Sequence, residues 1–487
     1  MLAPLGAAAH ADTGPGLGYD PITDKGSLHH ITATVGAQDS WTAGYTGKGV
    51  GVALIDSGVA RVPGLTGDNI VDGPDLSFES QYPDLAHKDT FGHGTHMASI
   101  IAGREEGVQN QDLGADPTKF VGIAPDATLV SLKVASYDGA VDVTQVIAAI
   151  DWVVAHKDDP GMNIRVINLS YGTDSTADYK TDPLTFAVEN AWRHGITVVV
   201  AGGNDGSTLK NLANPAQDPY VLAVGADDTK GTVNDADDEV PAFGNRGSNT
   251  RHVDLVAPGV SVLGLRDPGS HIDDQHPAAV VGDRFFRGSG TSQAAAVVSG
   301  AAALLLQRYP DLTPDQVKRH LMATSMPFKG STVQYRGNGL LRVDRAITGG
   351  VAATAQPMKG YATGGGSLEK SRGTVHVNDG EVDLTGEVDI FGSPFDSAAW
   401  AQATATGTAW KGGTWNGVAW TGSGRSSSGS WNTAPWSRVM WSGKAWTDSA
   451  WSGKAWSGKA WSGKAWSGKA WSGKAWSGKA WSGKAWS

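Results

Sequence analysis

The sequence Val50-Gly51-Val52-Ala53-Leu54-Ile55-Asp56-Ser57-Gly58 predicts a buried β-strand that ends at a polar turn. Its apolar run has strand length, which is typical of a parallel strand covered on both faces. Runs of the same kind occupy residues 128–134, 165–169, 196–201 and 220–224. Between them, apolar side chains recur at helical spacing in residues 143–157 and 184–194. This alternation predicts an α/β fold of three layers, with a mainly parallel sheet flanked by helices.

The charge of the chain is unevenly distributed along its 487 residues. Lys and Arg number 39 and Asp and Glu number 49, which gives a net charge of −10. Residues 400–487 contain eleven basic side chains and one acidic side chain, so this part carries +10 and the rest −20. An acidic main part argues against nucleic acid as a partner. The absence of cysteine excludes disulfides, thiolate metal sites and a cysteine nucleophile.

The N-terminus leaves the localisation of the protein open. Residues 1–11 are rich in alanine and end at Ala9-His10-Ala11, which fits the small-x-small pattern of a signal-peptidase site but follows no basic region. A remnant of a secretion signal, which predicts a secreted or cell-wall-associated protein, and a disordered start are both compatible with this segment. The longest nearly apolar run, residues 294–306, is shorter than the ~20 residues of a membrane-spanning helix, so no transmembrane segment is predicted.

Composition divides the chain into four predicted segments. They are an N-terminal segment over residues 1–28, a large α/β domain over 29–348, a linker or small β appendage over 349–399, and a low-complexity tail over 400–487. The appendage is predicted from its high content of Gly, Thr and Ser. Sixteen of the nineteen tryptophans follow it.

The tail repeats a tryptophan every five residues from Trp431 onward, and Trp-Ser-Gly-Lys-Ala occurs eight times. Five residues turn an α-helix by about 140° and reverse the facing of a strand, so neither element gathers the tryptophans on one face. We interpret the tail as an array of exposed aromatic and cationic side chains that suits cell-wall polysaccharide or another anionic polymer. A stalk without a specific ligand is the alternative interpretation.

Polar residues follow three of the predicted strands, and ligands of parallel sheets bind at these strand ends. They are Asp56, the run Ser170-Tyr171-Gly172, and the run Gly202-Gly203-Asn204. Two predicted helices begin near glycines at His93 and at Ser292. A serine, a base to activate it and an acid to orient the base form the constellation for nucleophilic acyl transfer.

The order Asp56, His93, Ser292 along the chain differs from that of the α/β-hydrolases, in which the serine comes first. Several stretches instead resemble the signatures of the subtilisin-like serine proteases, the subtilases of peptidase family S8. They are Ala53-Leu54-Ile55-Asp56-Ser57-Gly58, His93-Gly94-Thr95-His96-Met97-Ala98, Gly203-Asn204, Val256-Ala257-Pro258-Gly259 and Gly290-Thr291-Ser292. The resemblance covers about residues 30–348 and implies a subtilisin-like fold and a serine endopeptidase that forms an acyl-enzyme.

The resemblance also implies a role for each matching residue. Ser292 would be the nucleophile, His93 the general base and Asp56 its orienting acid. Asn204 would donate to the oxyanion together with the Ser292 N–H. The segment Ser170, Tyr171 and Gly172 would pair with an extended peptide or protein substrate, and Gly202 and Gly203 would line the pocket for the side chain before the cleaved bond.

The same residues allow other interpretations. His96, three residues after His93 and one turn inside the same predicted helix, is the competing candidate for the base and is expected to be structural. A metal site at His93 and His96 is disfavoured, because they lack the His-Glu-x-x-His spacing and a nearby third ligand. The chemistry requires no cofactor, and the sequence does not establish a structural calcium. The acidic loop over residues 104–119 is interpreted as solvated. A second hypothesis is a binding protein in which the tail acts and the protease-like domain is a scaffold. The four filled catalytic positions favour an enzyme.

Overall fold

The computed structural model describes residues 17–207, 211–234, 236–327, 331–350, 360–374, 376–378, 383–411 and 413–420. The Trp-Ser-Gly-Lys-Ala repeats and the predicted signal segment at residues 1–11 lie outside the described residues. The predictions made for them therefore remain predictions.

A seven-stranded parallel sheet forms the centre of the molecule. Its strands, in chain order, are β1 Gly51–Asp56, β2 Ile70–Asp75, β3 Thr128–Lys133, β4 Ile164–Leu169, β5 Thr197–Ala201, β6 Leu222–Asp227 and β7 Leu255–Pro258. They are arranged in the order β2-β3-β1-β4-β5-β6-β7, and each neighbouring pair is parallel. The predicted α/β fold with a mainly parallel sheet is confirmed.

The sequence missed the two outermost strands of this sheet. β2 contains Asp72, Gly73 and Pro74, and β7 is four residues long and ends at Pro258. Proline and glycine weaken the sequence pattern of a strand, but an edge strand tolerates proline because one side of its backbone forms no ladder hydrogen bonds. The central strands, which are buried on both faces, are the ones that the apolar runs revealed.

Twelve helices surround the sheet in the described part of the chain. They are α1 Leu28–Thr34, α2 Ala37–Thr42, α3 His93–Ala102, α4 Val143–His156, α5 Pro183–Arg193, α6 His271–Gln275, α7 Thr291–Arg308, α8 Pro314–Thr324, α9 Val333–Arg336, α10 Val343–Thr348, α11 Leu368–Arg372 and α12 Ser397–Ala405. α7 is buried along nearly its whole length and contacts β4, β5, β6 and β7 as well as α3. α4 packs against α5 and β1.

Two small antiparallel sheets complete the fold. One consists of β8 Val262–Leu265, β9 Val280–Val281 and β10 Phe285–Gly288, and the other of β11 Trp410–Lys411, β12 Thr414–Trp415 and β13 Val418–Ala419. Within the described residues, no helix has the length and apolar composition needed to cross a membrane.

The described residues between 360 and 420, which we call the C-terminal cap, pack against the main domain. Trp400 Nε1, Trp415 Nε1 and Thr404 Oγ1 all donate to the buried carboxylate of Asp151 in α4, at 2.8, 2.9 and 2.6 Å. Burial raises the pKa of Asp151 to about 6, and the three donors partly oppose this rise. The cap is therefore joined to α4 by a buried polar contact.

The four described tryptophans of the predicted tail, Trp400, Trp410, Trp415 and Trp420, are buried rather than exposed. The prediction of exposed tryptophans holds only if the five-residue repeat continues as one uninterrupted helix or strand. In the structure, the left-handed residues Asn416 and Gly417 form the turn between β12 and β13, and Trp410 in β11 pairs directly with Trp415 in β12. The predicted boundary at residue 400 falls inside α12.

We expect Asp151→Leu to lower the free energy of unfolding by about 3 kcal/mol, because it leaves three buried donors without an acceptor. Asp151→Asn is the matched control, since its amide oxygen still accepts from the indoles. Urea unfolding followed by tryptophan fluorescence measures both. Equal losses in the two variants would contradict this account.

Candidate active site

Asp56 and His93 meet at the carboxyl end of β1, in the middle of the sheet. Asp56 is the last residue of β1, and His93 is the first residue of α3. His93 Nδ1 lies 3.2 Å from each carboxylate oxygen of Asp56, and both side chains are buried. Gly92 permits this approach, because its φ of 103° turns the chain into α3 and a Cβ there would lie 2.4 Å from Ser270 Oγ.

A second carboxylate holds the acid and the base in register. Asp89 accepts hydrogen bonds from Ser57 Oγ, Gly92 N–H and Thr95 N–H, each at 2.7 Å. Ser57 Oγ also accepts from Gly94 N–H at 2.9 Å. The turn that carries Asp56 is thus bonded to the first turn of the helix that carries His93. Sequence analysis missed Asp89, whose position four residues before His93 was the available signal.

A buried lysine lies beside the acid. Lys133 ends β3 and is paired in register with Asp56. Its Nζ donates to Ser57 O at 2.9 Å and forms an ion pair with Glu79 Oε2 at 2.9 Å. The lysine side chain is 1% exposed, so its charge acts through protein rather than through water. The sequence signal for Lys133 was a single cation in an otherwise apolar strand.

The electrostatics of the site favour a neutral imidazole. Burial lowers the pKa of His93 well below its ordinary value, and His96 lowers it further. A neutral histidine can accept a proton, as general-base catalysis requires. Burial raises the pKa of Asp56 well above its ordinary value and the charge of Asp89 raises it further, while the hydrogen bonds from Ser57 and the charge of Lys133 oppose this rise.

Ser292 and Asn204 meet at the start of α7. Ser292 is the second residue of α7 and is buried. Asn204 Oδ1 accepts from Thr291 N–H at 2.9 Å and from Thr291 Oγ1 at 3.1 Å. These bonds fix the amide plane of Asn204 beside the serine. Within the described part of the chain, Ser292 Oγ has no hydrogen-bond partner.

The segment of Ser170, Tyr171 and Gly172, which we call the substrate segment, lies against the same helix start. Ser170 Oγ donates to Ser292 O at 3.4 Å and accepts from Asn168 Nδ2 at 3.1 Å. The Tyr171 side chain is 2% exposed, so it packs into the protein interior and does not cover the outer surface of the segment.

Gly202 and Gly203 lie where the side chains of other residues approach the backbone closely. A Cβ on Gly202 would lie 2.8 Å from Val253 Cγ1, and one on Gly203, whose φ is 112°, would lie 2.5 Å from Asn245 Nδ2. These contacts explain why both positions are glycine. The proposed pocket-lining role of the two glycines stays a prediction.

The structure also bears on the alternatives for metals and for His96. His96 Nε2 lies 3.0 Å from Phe286 O in a buried position, and burial lowers its pKa to about 4, as suits a neutral structural histidine. Among the described residues, no three His, Cys, Asp or Glu side chains are grouped to hold a metal ion. In the acidic loop, Glu105 forms an ion pair with Arg284 at 3.0 Å.

One departure from the family pattern is predicted to alter packing without affecting the triad. Gln293 follows the predicted nucleophile where the subtilases usually have methionine, and it is fully buried. In the region that the structure describes, neither polar atom of its side chain has a hydrogen-bond partner.

A buried Asp–His pair at the end of a central parallel strand, with a serine at the start of an adjacent helix, defines a serine hydrolase of the parallel α/β class. Residues 47–359 match the subtilase family, peptidase S8. The chain belongs to this family of serine proteases and is a serine-type endopeptidase, as the sequence resemblance predicted. Its catalytic chemistry needs no cofactor.

Individual relatives agree with this assignment. Serine protease AprX of Bacillus subtilis is 35% identical over 310 residues, which are 62% of this chain and 67% of AprX. Subtilisin E of the same organism is 33% identical over 308 residues, which are 62% of this chain and 67% of that protein. The crystal structure of fervidolysin from Fervidobacterium pennivorans, a keratinolytic enzyme related to subtilisin, superimposes with a TM-score of 0.53 at 25% identity, covering 70% of this chain and 49% of that one.

We expect Lys133→Met to shift the acid limb of the kcat/KM pH profile to higher pH. Loss of a cation raises the pKa values of the coupled Asp56 and His93 pair, so protonation removes the base at a higher pH. The substitution is made together with Glu79→Gln, because removal of one partner of a buried ion pair costs about 3–5 kcal/mol. Glu79→Gln alone is the control. If the folded double variant has its acid limb at the same pH as Glu79→Gln, the proposed role of Lys133 is contradicted.

Proposed function

We propose that Ser292, His93 and Asp56 form the catalytic triad of this endopeptidase and that Asn204 assists the oxyanion. The observation that carries the proposal is the buried contact of 3.2 Å between His93 Nδ1 and Asp56. Contact between α3 and α7, the helices that begin at His93 and just before Ser292, supports it as well. The separate packing of α4 with α5 supports the predicted three-layer arrangement.

In the proposed mechanism, Ser292 Oγ attacks the carbonyl carbon of the substrate while His93 Nε2 takes its proton. Asp56 stabilises the resulting imidazolium through Nδ1. The negative oxygen of the tetrahedral intermediate accepts hydrogen bonds from the Ser292 N–H and the Asn204 side chain. His93 then gives its proton to the leaving amine, and water hydrolyses the acyl-enzyme by the same steps.

The substrates are proposed to be peptides or proteins bound in an extended conformation. The substrate segment would pair with the substrate backbone, and Gly202 and Gly203 would line the pocket for the side chain before the cleaved bond. The hydrogen bond from Ser170 Oγ to Ser292 O supports this proposal, because it ties the segment to the nucleophile.

The cellular setting is proposed from the relatives and the sequence. One relative, the minor extracellular protease Epr of Bacillus subtilis, is 30% identical over 322 residues, which supports a secreted protein. The catalytic domain is proposed to span residues 29–348. Binding of cell-wall polysaccharide or another anionic polymer is proposed for the basic tail, and it rests on residues 421–487, outside the described part of the chain.

Labelling with a fluorescent fluorophosphonate tests the triad without knowledge of the substrate. We expect Ser292→Ala to take no label and His93→Ala to be labelled about 10³-fold more slowly, because the serine loses its base. His194 is a partly exposed histidine at the end of α5. The variant His194→Ala is the matched control and should be labelled at the same rate as the wild type. Labelling that persists in Ser292→Ala would show that another residue is the nucleophile.

Asn204→Ala should lower kcat by about 10²–10³ with little change in KM, because the lost hydrogen bond is made to the oxyanion rather than to the bound substrate. Steady-state hydrolysis of a chromogenic peptide measures both constants. A rise in KM at constant kcat would instead make Asn204 a residue that binds the substrate in its ground state.

A further inference from the structure

The C-terminal cap follows the part of the chain that matches the subtilase family, which ends at residue 359. One stretch of the cap lies beside the residues that continue the substrate segment. Thr173 Oγ1 donates to Ser371 O at 2.7 Å. Asp174 accepts from Thr374 N–H and from Thr374 Oγ1, both at 2.7 Å. Hydrogen bonds therefore join the cap to the chain immediately after Gly172.

Arg372 lies at the centre of this contact. Its side chain is 1% exposed, and its Nε donates to Asp142 Oδ2 at 2.7 Å, a carboxylate that is equally buried. Its two other nitrogens donate to Gly386 O and Val388 O within the cap. Asp142 also caps α4 by accepting from Thr144 N–H. The arginine thus fastens the cap to the N-terminus of α4.

The charges around Tyr171 connect Arg372 to the substrate segment. Burial raises the pKa of Tyr171 well above its ordinary value, Asp142 raises it further, and Arg372 opposes the rise. Asp182 and Asp174 also act on this ring. Arg372 is the cation in a set with three carboxylates, so its removal would leave uncompensated negative charge under the segment.

Gly373 makes the approach of the two chains possible. Its φ is 73°, and a Cβ there would lie 2.2 Å from Asp174 Oδ1 and 2.9 Å from the Asp174 carbonyl carbon. Neither the backbone conformation nor the available space admits a side chain. A methyl group at this position would therefore separate the cap from residues 174–175.

We propose that Arg372 is a positioning residue for peptide substrates, through which the C-terminal cap holds the substrate segment in the conformation that pairs with an extended peptide. Arg372 acts through Asp142 and through the neighbouring Ser371 and Thr374, which bond to Thr173 and Asp174, and has no part in the chemical step. A rim that is already ordered loses less conformational freedom when the peptide binds. The inference rests on the proposed role of the substrate segment.

The test compares a long and a short substrate. A hexapeptide anilide pairs with the substrate segment, whereas p-nitrophenyl acetate has no peptide backbone to pair. We expect Arg372→Met to raise KM for the hexapeptide about tenfold with kcat nearly unchanged, since the lost interaction affects ground state and transition state alike. Hydrolysis of the acetate should stay as in the wild type. Arg372→Lys should recover part of the hexapeptide affinity, and Gly373→Ala should raise KM as Arg372→Met does.

Thr404→Val is the matched control, because it removes a hydrogen bond of the same cap at Asp151, farther along α4 than Asp142. It should leave KM for the hexapeptide unchanged while lowering the melting temperature. An unchanged hexapeptide KM in Arg372→Met would overturn the inference, as would an equal loss of activity on both substrates. If Arg372→Met does not fold, Arg372→Lys and Gly373→Ala decide by the same criteria.

Gly172→Ala separates this inference from the proposed function beneath it. A Cβ on Gly172 would lie 2.7 Å from Ala213 Cβ and so displaces the segment directly. If Gly172→Ala leaves hexapeptide KM unchanged, the substrate segment itself is wrongly assigned. If Gly172→Ala raises KM and Arg372→Met does not, the segment binds substrate and only the role of Arg372 fails.

Discussion

The site depends on keeping one negative charge, that of Asp56, inside the protein. Burial disfavours an ionised carboxylate unless hydrogen bonds and opposite charge compensate for the lost water. Here the compensation comes from the Ser57 N–H, the His93 ring and the buried charge of Lys133. Lys133 arrives on β3 and His93 on α3, so the arrangement requires β1 and β3 to be neighbours and α3 to begin where β1 ends.

The second half of the site contains Ser292 and Asn204. It is held together by hydrogen bonds at the start of α7 rather than by a buried charge. Thr291 orients Asn204, and Ser170 is bonded to the backbone of Ser292. The ends of β4 and β5 are neighbours in the sheet, so both polar runs meet one helix terminus. This geometry suits an oxyanion, because preorganised donors cost no reorganisation when the charge develops.

The C-terminal cap extends the same use of buried polar contacts beyond the family's common fold. Asp151 receives two indoles and a hydroxyl, and Asp142 receives Arg372. A buried polar contact is stabilising only when every donor and acceptor has its partner. This requirement makes the docking geometry of the cap specific. Asp142 is the N-cap of α4 and Asp151 lies within this helix, so the cap contacts α4 at two separate places.

The sequence by itself determined the central strands and the parallel α/β class, and its motifs predicted Asp56, His93, Ser292 and Asn204 as the catalytic residues. Apolar runs and polar strand ends are local signals, and the family's motifs are short and contiguous. Only the tertiary structure decided the edge strands, the partners Asp89 and Lys133, and the burial of the tryptophans between residues 400 and 420. A hydrogen bond between residues tens or hundreds of positions apart leaves no periodic pattern in the sequence. Tight turns change the direction in which the tryptophans point, whereas the repeat in one regular element would spread them over all sides.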